Sequence, residues 1–108
     1  MKTASNEKKK GQVEQSQIDQ WKKENPDGIC SFTTKDNRIA YYKYPSIDIL
    51  NAATDSVTDG VSEFNRTVEE SCWLGGDESL RTSARHYTAL NSFINKMAKG
   101  IEGELLDL

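Results

Sequence analysis

Cys72-Trp73-Leu74-Gly75-Gly76-Asp77 is the stretch that decides the fold, because one apolar helical pattern ends there and another begins. Paired glycines supply the left-handed backbone conformation that closes a helix at no steric cost. An aspartate in this place is typical of an N-cap, whose carboxylate accepts hydrogen bonds from the free amides of the next first turn. The stretch therefore predicts a tight structural corner between two helices, with Cys72 as a small buried side chain and Trp73 as a wedge between the helices.

Two periodic apolar patterns flank this corner, and a third lies further upstream. Apolar spacings of three and four residues place side chains on one face of an α-helix. Before the corner they recur at Val61, Phe64, Val68 and Cys72. After it they form a narrow, coiled-coil-like seam at Ala84, Tyr87, Leu90, Ile94, Met97 and Ile101. An earlier helix beginning at Pro45 or Ser46 has its stripe at Ile47, Leu50, Ala53 and Val57.

A β-hairpin is predicted upstream of these helices. Residues 29–34 and 38–44 are rich in β-branched and aromatic side chains and are separated by Lys35-Asp36-Asn37. A two-residue turn at Asp36-Asn37 would place Phe32 opposite Tyr41, but a one-residue change in loop length would alter every pair, so the register stays open. Because a lone hairpin is marginal in water, helices must cover one face or another strand must pair with its edge.

Length and composition fit one small domain. The chain has 108 residues, of which 35% are hydrophobic and 29% charged. Residues 1–17 contain four lysines and almost no apolar side chain, too little to offset the entropy of ordering. We therefore predict an α+β domain over residues 18–100, in which a short N-terminal helix, an antiparallel β-hairpin and two to three α-helices pack together. A disordered Lys-rich arm (1–17) precedes it, and a frayed acidic-hydrophobic tail or short docking segment (101–108) follows.

Charge and targeting signals narrow the functional classes. The net charge is −3, although residues 1–11 contribute four lysines against one glutamate, so the folded part is acidic. A nucleic-acid binder needs a basic face, so such binding is not expected. The sequence has neither an apolar run long enough for a membrane span nor a secretory leader, which indicates a cytoplasmic protein. The spacing of the two cysteines fits neither a redox pair nor a zinc site.

Groups able to carry catalysis are few. His86 is the single histidine and is expected at the surface of the last helix, not as a ligand or general base. Cys72 lies near the C-terminal end of a helix beside Glu69 and Glu70, where a thiolate is disfavoured. Gly75-Gly76 lacks the spacing of a phosphate-binding loop. The sequence therefore predicts a protein that is not an enzyme and holds no metal or cofactor.

Three motifs in this order carry a family resemblance: Trp21-Lys22-Lys23, Tyr42-Lys43-Tyr44-Pro45 and the stretch at 72–77. Together they resemble small proteins of tailed-phage and prophage tail modules that are similar to tail assembly chaperones. The resemblance covers about residues 18–99. It implies a non-catalytic protein that binds the hydrophobic tape-measure protein, or a neighbouring tail-tube protein, and keeps it soluble until the tail subunits polymerise. It carries no catalytic residues with it.

Protein binding would require an exposed apolar patch, formed by seam residues or hairpin aromatics. The candidate contact residues are Tyr41, Tyr42, Tyr44, Trp73, Tyr87, Leu90 and Ile94. The seam could pack within the chain or pair with a second copy, which leaves a homo-oligomer open. The alternative function is a small regulatory or nucleic-acid-associated protein of a mobile element, using Lys8-Lys9-Lys10 and the tyrosines at 41–44 to contact and stack on bases.

Overall fold

The structure is a computed structural model that describes residues 8–60, 62–100 and 106–107. Its centre is an antiparallel sheet in the order β1 (Ile29–Thr33), β2 (Ile39–Lys43), β3 (Trp73–Gly76). The helices are α1 (Gln15–Glu24), α2 (Ile47–Ser56), α3 (Ser62–Cys72), α4 (Ser79–Thr82) and α5 (Tyr87–Lys99), with 3-10 turns at Val57–Asp59 and Ala84–His86. The predicted α+β class, with a short N-terminal helix and a hairpin under further helices, is confirmed.

The hairpin has a three-residue loop, and this sets its register. Phe32 lies opposite Ala40, so the two-residue interpretation that placed it opposite Tyr41 is wrong by one position. The loop is Lys35-Asp36-Asn37, and Asn37 adopts a left-handed φ of +67°. Three-residue hairpin loops commonly combine a turn with one left-handed residue, and asparagine tolerates that conformation better than most side chains.

The core lies between one face of the sheet and helices α2, α3 and α5. The sheet contributes Phe32, Ala40 and Tyr42, and the helical part contributes Ala53, Val68, Cys72, Leu80, Leu90, Ile94 and Met97. On the opposite face α1 covers the sheet, where the Trp21 and Tyr41 rings lie 5.4 Å apart between centroids. The sheet is therefore sandwiched, with Tyr41 and Tyr42 buried on opposite sides.

The predicted helix-to-helix corner is a β-strand. Helix α3 ends at Cys72, and the next residue, Trp73, begins β3, which pairs with β2 so that Trp73 lies opposite Tyr42. The next helix begins only at Ser79. Trp73 is therefore a strand residue, and its ring packs edge-on against Tyr42 with the ring centroids 5.5 Å apart. The prediction that Trp73 is a wedge between two helices is wrong. The hairpin gains its stability from a third strand as well as from helices.

The two glycines of β3 permit close approach. Gly76 has a φ of +126°, and a Cβ there would lie 2.6 Å from the Ala40 Cα and 2.6 Å from the Ile39 carbonyl oxygen. A Cβ at Gly75 would lie 3.1 Å from the Trp21 ring. Gly76 therefore does use a positive φ, but as a residue of β3 that approaches β2, and not as the residue that closes a helix. Because Gly75 has no side chain, β3 can pack closely against the Trp21 ring of α1.

Helix α2 begins where the sequence indicates but buries a different stripe. Ser46 is the N-cap, and its Oγ accepts a hydrogen bond from the Ile49 N–H at 3.2 Å. Ala53 is fully buried, whereas Ile47 is 77% exposed. Ile49 packs against the core instead. The buried face of α2 is therefore rotated about the helix axis from the predicted face, and the two share Ala53.

Helix α5 places most of the predicted seam inside the molecule. Leu90, Ile94 and Met97 are buried in the core. Tyr87, at the start of the helix, is 60% exposed, and Ala84 lies in the preceding 3-10 turn. Val61 and Ile101 lie outside the described residues. The seam packs within the chain and leaves little apolar surface for pairing with a second copy.

The segment before α1 joins the edge of the sheet. Lys10 forms a parallel bridge with Arg38; its N–H donates to the Asn37 carbonyl at 2.9 Å, and its carbonyl accepts from the Ile39 N–H at 3.0 Å. Helix α1 begins at Gln15, not at Ile18. The predicted arm at 1–17 is therefore structured from Lys8 onward. Residues 1–7, and most of the predicted tail at 101–108, lie outside the described residues.

Candidate protein-binding surface

A solvent-open groove of about 670 Å³ lies where the N-terminal end of β1 meets the C-terminal end of α5. It is lined by Asp27, Cys30, Tyr44, Phe93, Lys96, Met97 and Gly100. Cys30, Phe93 and Met97 form an apolar floor, and all three contact or belong to the hydrophobic core. Tyr44 stands at the rim and is 39% exposed. The groove is thus an apolar depression continuous with the core.

Local sequence patterns build this groove. Strand alternation directs Cys30 toward the helices, and the four-residue spacing of Phe93 and Met97 places both on one face of α5. Gly100 ends α5 with a φ of +63°, and no described atom lies within 4 Å of where its Cβ would be. Helix α5 therefore ends at the groove, which Gly100 helps to line.

The floor of the groove carries no charge at neutral pH. Burial raises the pKa of the Cys30 thiol to about 11, against a hydrogen bond with Tyr44 that lowers it. Its Sγ lies 3.5 Å from the Met97 Sδ. At high pH, the Cys30 thiolate raises the pKa of Tyr44, and partial burial raises it further. Asp27 and Lys96 place opposite charges on the lining, so the groove offers apolar contact framed by one anion and one cation.

Cys72, predicted to be an inert buried side chain, is fully buried at the end of α3. Burial raises the pKa of its thiol to about 11, and the nearby Lys43 only partly opposes this shift. A thiol with such a pKa is protonated at neutral pH and is a poor nucleophile. The structural interpretation of Cys72 is supported.

Both thiols of the folded protein are expected to react slowly with a disulfide reagent such as DTNB at mildly alkaline pH, because each has a raised pKa. The half-buried Cys30 should react before Cys72. Stopped-flow absorbance measures both phases, Cys30→Ala should remove the faster one, and denaturant should merge the two. A thiol in the native protein that reacts as fast as a free thiol would contradict this expectation.

A second feature is a polar cluster that ties the hairpin to α4. Arg38 Nη1 lies 2.8 Å from the Asp77 Oδ2 and donates to the Ser79 Oγ at 2.8 Å. The Asp77 Oδ1 accepts from the Ser79 N–H, in the first turn of α4, at 3.0 Å, although the N-cap position itself is Glu78. Asp77 is only 7% exposed. Burial raises the pKa of Asp77, but hydrogen bonds from Arg38 and Ser79 outweigh burial and hold it below the usual range.

His86 joins this cluster from the turn before α5. Its Nε2 lies 2.9 Å from the Asp36 Oδ2, and its side chain is 12% exposed, more buried than the sequence indicated. Hydrogen bonds from Thr34 and His86 hold the pKa of Asp36 well below its usual range. Among the described residues the buried His86 Nδ1 has no hydrogen-bond partner. The ring therefore connects the hairpin loop to the start of α5.

Burial corrects part of the predicted contact set. Four of those residues are core side chains: Tyr41 (5% exposed), Tyr42 (0%), Leu90 (8%) and Ile94 (1%). The sequence pattern identified an apolar face correctly, but it could not tell a covered face from an open one. Tyr41 and Tyr42 are therefore not open to a partner, whereas Leu90 and Ile94, although mostly covered, line a depression between α3 and α5 together with Tyr87.

The other predicted contact residues lie in three separate places. Tyr44 lines the groove, whereas Tyr87 lines a shallower, charge-rich depression of about 350 Å³ between α3 and α5. Trp73 is half-buried beneath the Arg81 guanidinium, whose carbon is 4.3 Å from the ring centroid. Phe93 and Lys96 are not in the predicted contact set, although each directly precedes a seam residue, Ile94 and Met97 respectively.

Comparison of the chain with family models, with curated protein sequences and with solved structures found no match. The resemblance to tail assembly chaperones therefore stays a prediction from the three motifs. None of the helices in the described part of the chain has both the length and the apolar character needed to cross a membrane.

Proposed function

We propose that this chain is a non-enzymatic, cytoplasmic protein-binding factor whose groove takes up an apolar segment of a partner protein. Following the resemblance, the proposed setting is phage or prophage tail assembly and the proposed partner is the tape-measure protein. The observation that carries the proposal is the apolar groove between β1 and α5, with Tyr44 exposed at its rim.

The dimensions of the groove support this role. Its volume of about 670 Å³ falls within the range of roughly 300 to 1,000 Å³ typical of binding clefts. Complete burial of one Leu or Phe side chain contributes about 1.5–3 kcal/mol, before the entropic cost of association. A partner would therefore need several apolar side chains in the groove for micromolar affinity, which corresponds to about −8 kcal/mol. An apolar segment of an aggregation-prone protein meets that requirement.

Exposed apolar side chains occur at the rim of the groove and shortly after it in sequence. Tyr44 is 39% exposed at the rim, and Ile47, three residues later, is 77% exposed. Clustered exposed apolar side chains are typical of protein interaction sites. Asp27 and Lys96 would add polar contacts that orient the bound segment without supplying most of the binding free energy. The proposed role is thus to shield an apolar segment until its assembly partners replace this chain.

Co-expression with a phage tape-measure protein tests the proposal. The wild-type chain should raise the soluble fraction of that protein and co-purify with it. Tyr44→Glu should weaken binding at least tenfold, because a carboxylate at the rim must be desolvated on docking. Tyr87→Glu, at the separate depression between α3 and α5, is the matched control and should bind like the wild type.

Titration calorimetry with purified proteins measures both affinities, and circular dichroism verifies that each variant is folded. Equal binding by wild type and Tyr44→Glu would exclude the groove as the contact site. Loss of binding in Tyr87→Glu alone would move the site to the depression between α3 and α5. A tape-measure protein that stays insoluble with the wild-type chain would refute the chaperone role.

The positions of the hairpin tyrosines give little support to the alternative function of nucleic-acid binding. Tyr41 and Tyr42 are buried on opposite faces of the sheet, so no row of hairpin aromatics is open to bases. Lys8 forms an ion pair with Glu14 at 3.2 Å. A mobility assay at increasing salt would reveal phosphate contacts, which weaken steeply with ionic strength, whereas apolar docking does not.

A further inference from the structure

Strand β1 has an unpaired backbone edge. Thr34 donates to the Arg38 carbonyl and Tyr44 donates to the Gly28 carbonyl, so residues 28, 30, 32 and 34 face β2. In an antiparallel ladder the intervening residues direct their N–H and C=O groups the other way. These are Ile29, Ser31 and Thr33. Within the described part of the chain, β1 has β2 as its single strand neighbour.

This edge lacks the features that usually protect an edge strand. Edges are commonly blunted by charged side chains, proline, bulges or very short length. Strand β1 is Ile-Cys-Ser-Phe-Thr, without a charge or a proline, and its pairing with β2 is regular. The other edge strand, β3, is shorter and is irregularly paired, with its shift between Tyr41 and Tyr42. The two edges of the sheet therefore differ in their capacity to accept another strand.

We infer that β1 pairs antiparallel with β1 of a second copy of this chain, centred on Ser31, so that two sheets join into one. In this register Ser31 lies opposite Ser31 of the second copy, and Ile29 lies opposite Thr33. Every outward-facing N–H and C=O of these three residues then finds a partner. Ile29 and Thr33 are β-branched, a favourable cross-strand pair.

Charge at the ends of β1 favours a second copy over an unrelated strand. Asp27 precedes the strand and Lys35 follows it, each four positions from Ser31 and each exposed. An antiparallel pair centred on Ser31 brings the turn that carries Asp27 in one chain close to the hairpin loop that carries Lys35 in the other, at both ends of the interface. Asp36 is already engaged by Arg38 and His86 within its own chain. Two copies of this edge therefore complement each other in backbone hydrogen bonding and in the charges at the ends of the strand.

The pairing and the proposed partner site share the side chain of Asp27, which lines the groove and borders the edge. The rest of the edge uses backbone groups in the plane of the sheet, whereas the groove opens on the side of α5 and is formed by side chains. A dimer of this kind would carry two grooves. Two apolar segments, or two sites on one long partner, could then be held at once, and such bivalence increases avidity.

Light scattering across a range of concentrations tests this inference on the full chain. The wild type should approach twice the 12.1 kDa mass of one chain as concentration rises. Ser31→Pro should stay monomeric, because proline removes an outward N–H and leaves the bonds to β2 intact. Amide exchange by NMR gives a residue-level readout: the Ile29, Ser31 and Thr33 amides should become more protected with concentration, while the Phe32 amide stays protected throughout.

A charge exchange keeps the test decisive even if the proline variant fails to fold. Asp27→Lys and Lys35→Asp should each weaken dimerisation several-fold, since each places like charges together. The double variant should restore it. A wild type that is monomeric at every concentration, a folded Ser31→Pro chain that still dimerises, or a double variant no better than the singles would each overturn the inference. None of these results depends on a tail protein, so the proposed function fails or stands separately.

Discussion

Arg38→Met is expected to lower the free energy of unfolding at neutral pH, and by more than the loss of an exposed ion pair would. Asp77 keeps a side-chain exposure of only 5%, so removal of Arg38 leaves a mostly buried carboxylate without its ion-pair partner. Arg38 itself is 28% exposed, so solvent offsets part of this loss. Urea denaturation followed by circular dichroism measures the change.

The effect should depend on pH in a defined direction. The pKa of Asp77 is depressed in the folded protein, so its contribution to stability is present above the unfolded pKa of about 4 and is lost as pH falls through the folded pKa. The deficit of Arg38→Met should therefore be largest at neutral pH and shrink in acid. An unchanged deficit at all pH values would assign the loss to packing instead of charge.

Two further variants separate the ion pair from other effects of Arg38→Met. Arg66→Met is the matched control, because Arg66 is 65% exposed in its pairs with Glu63 and Glu70, and its loss should cost less than about 1 kcal/mol. Adding Asp77→Asn to Arg38→Met should recover much of the stability, since the amide keeps the cap to Ser79 without a charge. If the double variant is no more stable than the single one, the ion-pair explanation is wrong.

Gly76→Ala is expected to destabilise the protein by about 3–4 kcal/mol. A positive φ costs a side chain roughly 1–2 kcal/mol, and overpacking typically adds 1–3 kcal/mol. Here the new methyl would lie 2.6 Å from backbone atoms of Ala40 and Ile39, which cannot rotate away as a side chain can. Thermal and urea unfolding measure the loss.

Gly60→Ala is the control for this substitution. Gly60 has a φ of +132°, close to the +126° of Gly76, but no described atom lies within 4 Å of its Cβ position. It should show only the conformational cost. The difference between the two variants then reports the close approach of β3 to β2. If both lose the same stability, the strands do not approach as closely as the structure has them.

Several elements follow from local sequence alone. β-branched and aromatic runs around Lys35-Asp36-Asn37 predict the hairpin, Ser46 predicts the start of α2, and the spacing of Val68 and Cys72 predicts the buried face of α3. Each of these signals is carried by residues close together in the chain. The chemistry of Asp77 as a cap is equally local.

The remainder depends on contacts between distant residues. Residues 73–76 read locally as a helix corner, because only their pairing with β2 shows that Gly75 and Gly76 belong to a strand. The register of the β1–β2 hairpin depends on whether the loop has two or three residues, and the left-handed Asn37 belongs to the three-residue form. Arg38 and Asp77 lie far apart in sequence, so no local pattern indicated their ion pair. The groove likewise combines β1, the residue after β2, and α5.

The junction of α3 and β3 limits how this chain can change in length. Helix and strand are consecutive at Cys72 and Trp73, without a connecting residue. Since side chains alternate along a strand, one residue inserted in α3 would either rotate its buried face or turn Trp73 to the other side of the sheet. Insertions and deletions in a lineage of such proteins should therefore avoid α3 and accumulate instead at exposed turns such as the one around Gly60.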